Sequence, residues 1–260
     1  FGSSLGGILR PLCTPRLPIG DHKMSAVAAA AASAAAPAVG AAAAVSTAAA
    51  KQALRVRIRA RLRALDDAEL TRQSQAVCDR LATNPWYVAS RTIGIFLSMP
   101  KGELRTEPIL RHAFDQGKRV FCPRVMGDGW MEMFEVGSLE EALKLPLSKW
   151  KIPEPPEGSP QADPAELDVI LVPAVALDMT RGRCGQGAGF YDRYLQRARR
   201  GARPDGGGPC RAIGVALLEQ RIEPGGLPEE PHDERLDAVV FPDAEAVVDD
   251  AEDEALPLHT

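Results

Sequence analysis

The sequence predicts an α/β fold: a single three-layer domain with a mostly parallel central sheet and helices on both faces. Three observations predict it. Strand-like and helix-like stretches alternate from Lys51 to Phe241. Two strands, Thr92–Ser98 (TIGIFLS) and Asp168–Pro173 (DVILVP), are short and largely apolar, as strands covered on both sides must be. A glycine-rich turn then lies between a strand and a helix, where such sheets present backbone to ligands.

The first element is ambiguous by period alone. Arginine alternates with apolar residues from Ala53 to Arg63, which is a strand period, yet Leu54, Ile58, Leu62 and Leu65 fall on one helical face. Alanine and arginine are good helix formers, so a helix is predicted. Its polar face is basic, with Lys51, five arginines and no acid. Asp66 with Glu69 three residues on resembles a capping box and starts a second helix through Leu70, Val77 and Leu81, ending before Pro85. Thr92–Ser98 is the first strand. Thr106 begins a helix stopped at Gly117. Lys118–Pro123 is a strand, and Trp130–Val136 alternates like a strand with one wet face. Ser138 with Glu141 is another capping box. Asp168–Pro173, Ala212–Leu218 and Leu236–Phe241 read as strands and Phe190–Arg200 as a helix. Arg199–Cys210 (RRGARPDGGGPC) reads as a flexible surface insertion.

Charge is segregated along the 260 residues. Lys+Arg number 31 and Asp+Glu 35, for a net charge of -4. The first fifty residues are slightly basic, residues 243–260 hold seven acids and no Lys or Arg, and residues 51–242 are almost neutral. A strongly basic nucleic-acid binder is therefore not suggested. Three regions are expected: 1–45 as a disordered Ala-rich leader or transit peptide, 46–242 as the catalytic domain, and 243–260 as an acidic disordered tail. The uncharged stretch Ala26–Ala50 is too alanine-rich and too often interrupted to span a membrane. Five scattered cysteines without a CxxC pair point to a reducing compartment, and the leader leaves cytoplasmic and mitochondrial locations both open. A monomer is expected.

The chemistry concentrates in Arg181-Gly-Arg-Cys-Gly-Gln-Gly-Ala-Gly-Phe-Tyr-Asp-Arg193. Four of the nine residues 181–189 are glycine, and the run opens a helix. Glycine lets backbone approach closely, and N–H groups at a helix N-terminus favour an anion, commonly phosphate. The spacing is neither the dinucleotide fingerprint nor a P-loop, and a glycine loop built for tight packing remains an alternative. Asp192 either favours the helix dipole or holds Mg²⁺, and His232-Asp233-Glu234-Arg235-Leu236-Asp237 offers a second acid.

Arg183–Arg193 resembles the signature of the 5-formyltetrahydrofolate cyclo-ligase (5,10-methenyltetrahydrofolate synthetase) family. Ala50-Lys-Gln-Ala-Leu-Arg55 resembles its N-terminal Lys-x-x-x-Arg. Phe96–Thr106, Cys122-Pro-Arg124, Trp150–Pro155 and Asp233–Asp237 resemble further family segments, in order, over residues 46–242. The resemblance implies a NagB/RpiA/CoA-transferase-like fold. It also implies the reaction: ATP and 5-formyltetrahydrofolate, possibly polyglutamylated, give 5,10-methenyltetrahydrofolate, ADP and phosphate. The formyl oxygen attacks the γ-phosphate, and N10 then closes on the activated carbon as phosphate leaves. Phosphoryl transfer of this kind rests on positioning and charge neutralisation.

By the same resemblance Lys51 and Arg55 neutralise the ATP phosphates. Arg183, Cys184, Gly185, Gln186, Gly187, Ala188, Gly189, Phe190, Tyr191 and Asp192 cradle the nucleotide. Of these, Arg183, Gly185, Gln186, Gly187, Ala188, Gly189 and Tyr191 also approach the reacting formyl group. Asp192 and Asp237 hold Mg²⁺, and Leu97, Met99, Glu103 and Trp150 line the folate pocket. Phe190 stands where the family often has Tyr, and Gln186 and Ala188 stand where a basic residue is common. Two other readings remain: a nucleotide-dependent enzyme acting on another small substrate, and a nucleic-acid-binding protein using the Arg-rich helix.

Overall fold

The computed structural model describes residues 36–99, 102–127, 129–148, 152–201 and 207–248. In chain order the first elements are α1 (Ala36–Arg63), α2 (Asp67–Leu81), α3 (Pro85–Ala89), β1 (Thr92–Ile95), α4 (Glu107–Asp115), β2 (Arg119–Gly127), β3 (Trp130–Val136) and α5 (Leu139–Leu143). Then come β4 (Val169–Val172), β5 (Ala176–Asp178), β6 (Arg183–Cys184), α6 (Phe190–Arg200), β7 (Arg211–Val215), β8 (Arg221–Ile222), β9 (Ala238–Val240) and β10 (Glu245–Val247).

The apolar strands form the centre of a seven-stranded sheet ordered β10-β9-β7-β4-β1-β2-β3. The five central strands are mutually parallel, and β3 and β10 close the edges antiparallel. Strand geometry sends successive side chains to opposite faces. Val169 and Leu171 accordingly enter one core with α2 and α4, while Ile170 and Val172 enter a second core with α6. Ile213 and Val240 face the first core and Val239 the second. This two-sided burial is the physical meaning of the apolar runs. A second, three-stranded sheet, β6-β5-β8, lies among segments expected to be loop.

The caps follow the local sequence. Asp66 accepts from the Glu69 N–H at 2.8 Å and Ser138 from the Glu141 N–H at 3.1 Å. Gly117 has φ +68°, the left-handed turn that ends α4.

Three expectations change. The first helix starts at Ala36, not Ala53, and so takes in part of the expected leader; its alanines continue the helix without a break. The acidic tail expected from residue 243 begins with β10, which pairs with β9 (Glu245 with Val240, Val247 with Ala238) and supplies the hydrogen bonds that β9's free edge needs. The wet face expected of β3 is absent: Glu132 is only 6% exposed, held at 2.7 Å by Arg197 of α6 and at 2.8 Å by the Trp130 indole N–H. The expected transit-peptide character of residues 1–35 lies outside the described residues. Among the described residues no helix is long and apolar enough to cross a membrane.

Candidate active site

The crossover from β1 to β2 runs through α4 on one face of the sheet, and that from β4 to β7 through α6 on the other. Connections therefore leave the adjacent strands β1 and β4 in opposite directions, and such a switch point opens a crevice at the strands' carboxyl ends. A cavity of about 990 Å³ lies there. Phe96, Leu97 and Met99 reach it from the end of β1, and Pro173 and Ala174 from the end of β4. Its size is at the upper end of the range for small-molecule sites.

Helix α1 forms one wall. Leu54, Ile58 and Leu62 are buried in the core. Lys51, Arg55 and Arg59, also spaced by four, form the neighbouring stripe and line the cavity. Lys51 is 6% exposed, and its Nζ donates to Glu230 Oε2 and Asp233 Oδ2, each at 2.6 Å. Burial pulls the Lys51 ammonium down, but the bonds to Asp233 and Glu230 outweigh it and leave its pKa raised. Arg55 donates from Nε to the Gly185 carbonyl at 2.8 Å, and Arg59 donates to the Gln186 side-chain oxygen.

The glycine loop forms the wall that Arg55 and Arg59 touch. Asp178, 1% exposed, accepts from the N–H groups of Thr180 and Gly182, both at 3.0 Å. This closes the β5–β6 turn and puts Arg183 on a strand that projects into the cavity. Arg183 pairs with Asp192 of the first turn of α6, and its Nε is buried without a partner among the described residues. Gly187 has φ +105° and Gly189, the N-cap of α6, φ +68°, conformations that L side chains rarely adopt. A glycine N-cap offers no side-chain oxygen, so the first-turn N–H groups of α6 stay without a side-chain cap. Gly185, Gln186, Gly187, Ala188, Gly189, Phe190 and Tyr191 all line the cavity. Cys184 lines it as a buried thiol, raised chiefly by burial.

The two acids expected to hold Mg²⁺ do not meet. Asp192 lines the cavity, but Asp237 does not. Asp237 accepts from the Ala212 N–H at 2.6 Å and from Arg199 at 2.9 Å, which ties the start of β9 to β7 and the far end of α6. The acid of that motif which does reach the cavity is Asp233, with Glu230 and His232 beside it; their ligand atoms lie within 4.8 Å of one another. Asp192 also accepts from the Glu234 N–H at 3.2 Å, which brings the 230–234 turn against the head of α6. Hard carboxylate oxygens from Asp192, Asp233 and Glu230 suit Mg²⁺.

Of the residues expected in a folate pocket, Leu97, Met99 and Glu103 line the cavity, and Trp150 lies outside the described residues. Ile152 and Glu154, just beyond it in sequence, line the cavity as well. Glu103 accepts from the Met99 N–H at 2.7 Å, and burial pushes its carboxyl up to about 7 against that bond. The Tyr191 hydroxyl is buried without a partner among the described residues, and burial raises its pKa far above the usual phenol range.

Asp233, Glu230 and Arg59 were not singled out from sequence as site residues. The i, i+4, i+8 spacing of Lys51, Arg55 and Arg59 is the signal that finds Arg59. For Asp233 the deciding contact, with Lys51, spans 182 residues and leaves no local pattern.

Residues 47–242 match the 5-formyltetrahydrofolate cyclo-ligase family. The 5-formyltetrahydrofolate cyclo-ligase of Mus musculus is 35% identical over 191 residues, covering 71% of this chain and 90% of the relative. The Escherichia coli K12 enzyme of the same name is 34% identical, covering 69% of this chain and 93% of the relative. The NMR structure of Aquifex aeolicus 5,10-methenyltetrahydrofolate synthetase superposes with a TM-score of 0.61 at 27% identity, covering 76% of this chain and 92% of that one. The chain belongs to the 5-formyltetrahydrofolate cyclo-ligase family.

Proposed function

We propose that this cyclo-ligase converts 5-formyltetrahydrofolate to 5,10-methenyltetrahydrofolate in the cavity between α1, the ends of β1 and β4, and the glycine loop, with ATP and Mg²⁺ bound beside the loop. The observation that carries the reading is the convergence of Lys51, Arg55 and Arg183 on a cavity lined by a glycine-rich helix start bearing Asp192 and, against it, the 230–234 turn bearing Asp233. The residues present fit a nucleotide: the buried, unpartnered Arg183 Nε is a donor awaiting an anion, and the glycines at 187 and 189 leave backbone open. They also fit a magnesium ion, because the acids are oxygen donors in contact with cations that a metal replaces.

When bound, ATP supplies the phosphoryl group that makes the formyl oxygen a leaving group, and Mg²⁺ neutralises polyphosphate charge. The chain's part is positioning. Lys51 and Arg55 take phosphate charge, Arg183 and the loop from Gly185 to Tyr191 orient the nucleotide toward the formyl group, and Asp192 and Asp233 hold the metal. Leu97 and Met99 pack on the folate, Glu103 pairs with pterin N–H groups, and Trp150 is kept as a ring-packing residue. The working unit is a monomer of the 46–242 domain. The leader's acid-poor composition supports residence in the mitochondrion or the cytosol, which imaging of a tagged full chain would distinguish.

The test is direct. Purified protein with ATP, Mg²⁺ and 5-formyltetrahydrofolate should generate the methenylfolate absorbance band, and should do so only when all three are present. No band at high enzyme concentration sinks the reading.

A further inference from the structure

The cations lining the cavity fall into two groups. Lys51 is held by Glu230 and Asp233, and Arg183 by Asp192. Their charge is matched by these acids, which the proposed metal would take over. Arg55, Arg59 and Arg193 also line the cavity, but they donate only to uncharged acceptors. Arg55 takes the Gly185 carbonyl, Arg59 the Gln186 side-chain oxygen, and Arg193 the carbonyls of Ala188 at 2.6 Å and Gly129 at 3.0 Å. None of the three has a carboxylate partner among the described residues.

The loop is shaped around these guanidiniums. A Cβ at Gly187 would lie 3.4 Å from the Arg55 guanidinium, and one at Gly189 would lie 2.8 Å from Arg193 Nη1. A Cβ at Gly129 would lie 2.7 Å from Arg193 Nη2. The glycines thus leave the space in which guanidiniums sit against backbone, while residues 185–190 carry no charged side chain of their own. Three unmatched positive charges flank a helix start, and a polyphosphate is the ligand whose charge they match.

We propose that Arg59 and Arg193 are phosphate-binding residues that act with Arg55, so that the loop takes its charge from α1 and from the second turn of α6 rather than from its own side chains. The proposal rests on the cyclo-ligase reading for the identity of the nucleotide. The rival source of an anion is the pair of carboxylates at the glutamate end of the folate.

The experiment is a titration of the full chain with inorganic tripolyphosphate by calorimetry, without folate, for wild type, Arg59→Ala, Arg193→Ala and Arg193→Lys. Steady-state KM values for ATP and for 5-formyltetrahydrofolate are measured beside it. Loss of one charge-assisted fork should weaken tripolyphosphate binding about tenfold and raise the KM for ATP similarly, with the folate KM within about twofold. Arg57→Ala, on the same helix but outside the cavity, should leave all three values unchanged. Unchanged tripolyphosphate affinity in the alanine variants overturns the proposal, as does a rise confined to the folate KM. Arg193 also pins Gly129, so a cooperative melt is required of each Arg193 variant. If neither melts cooperatively, exposed Arg59 decides the matter alone. A wild-type protein that binds tripolyphosphate yet makes no methenylfolate refutes the cyclo-ligase reading and leaves this test standing.

Discussion

Lys51 and Asp233, 182 residues apart in the chain, meet at 2.6 Å in the cavity wall, where the ammonium bridges Asp233 and Glu230. The acid assigned to the metal in the proposed function is therefore matched with a lysine in the structure. Asp233→Asn keeps an oxygen for Lys51 to donate to and removes the charge that a divalent ion requires. It should raise the Mg²⁺ concentration for half-maximal activity by about 10–100-fold while the melting curve stays cooperative. Wild-type Mg²⁺ dependence in this variant would remove Asp233 from the metal site. Asp192→Asn is expected to act in the same direction, because Asp192 stands beside the same turn.

Asp237 gives the opposite expectation. Its carboxylate is committed to the Ala212 N–H and to Arg199, and it does not line the cavity. Asp237→Asn should cost about 1–3 kcal/mol of stability in urea unfolding, the range for hydrogen bonds to a charged group. The KM for ATP and the Mg²⁺ dependence should not move. A variant as stable as wild type but inactive would mean that Asp237 acts in the chemistry after all.

Glu103 predicts a pH dependence with a definite sign. Its folded carboxyl titrates near 7 because burial disfavours the charge, whereas the unfolded chain titrates near the ordinary 4.5. Between these values the folded protein binds the extra proton, so this group makes stability fall as pH rises from about 5 to about 7. Pairing with pterin N–H groups requires the ionised form, so kcat/KM for the folate should rise over the same interval and level off above it. Glu103→Gln should flatten both profiles. A kcat/KM inflection that survives in Glu103→Gln belongs to another group.

The legible parts of the molecule are those set by local chemistry. Helix α6 was readable to its end residues, Phe190 and Arg200, because a glycine run precedes it and a glycine-rich insertion follows. Asp66 and Ser138 announced their helices by the spacing to Glu69 and Glu141. The strands β5, β6 and β8 were not readable: at two or three residues they show no period, and they exist through pairing with each other. The same limit applies to the acids of the closing motif. Asp233 and Asp237 share one acidic motif, and only the folded path of the 230–237 segment sends the first into the cavity and the second to the junction of β9 with β7. Glu132 looked like a wet residue because the arginine that covers it lies 65 positions later.

Lys118 tests the fold apart from the chemistry. It is 8% exposed, and its Nζ donates to the carbonyls of Ser90 at 2.7 Å, Tyr87 at 2.8 Å and Val88 at 3.3 Å, at the end of α3. Helix ends leave carbonyls without intrahelical partners, and here one ammonium serves three of them while lying 5.0 Å from the centroid of the Tyr87 ring. Burial of the ammonium lowers its pKa; the nearby Asp168 carboxylate opposes that shift, and the carbonyls supply the direct hydrogen bonds to the desolvated charge. Lys118→Met keeps the side-chain length and strands those carbonyls away from water. The expected loss is about 2–3 kcal/mol in chemical denaturation, with kcat and both KM values at wild-type levels below the melting temperature. A loss under about 0.5 kcal/mol would show that the end of α3 finds its partners in water, and that the lysine is a passenger at that site.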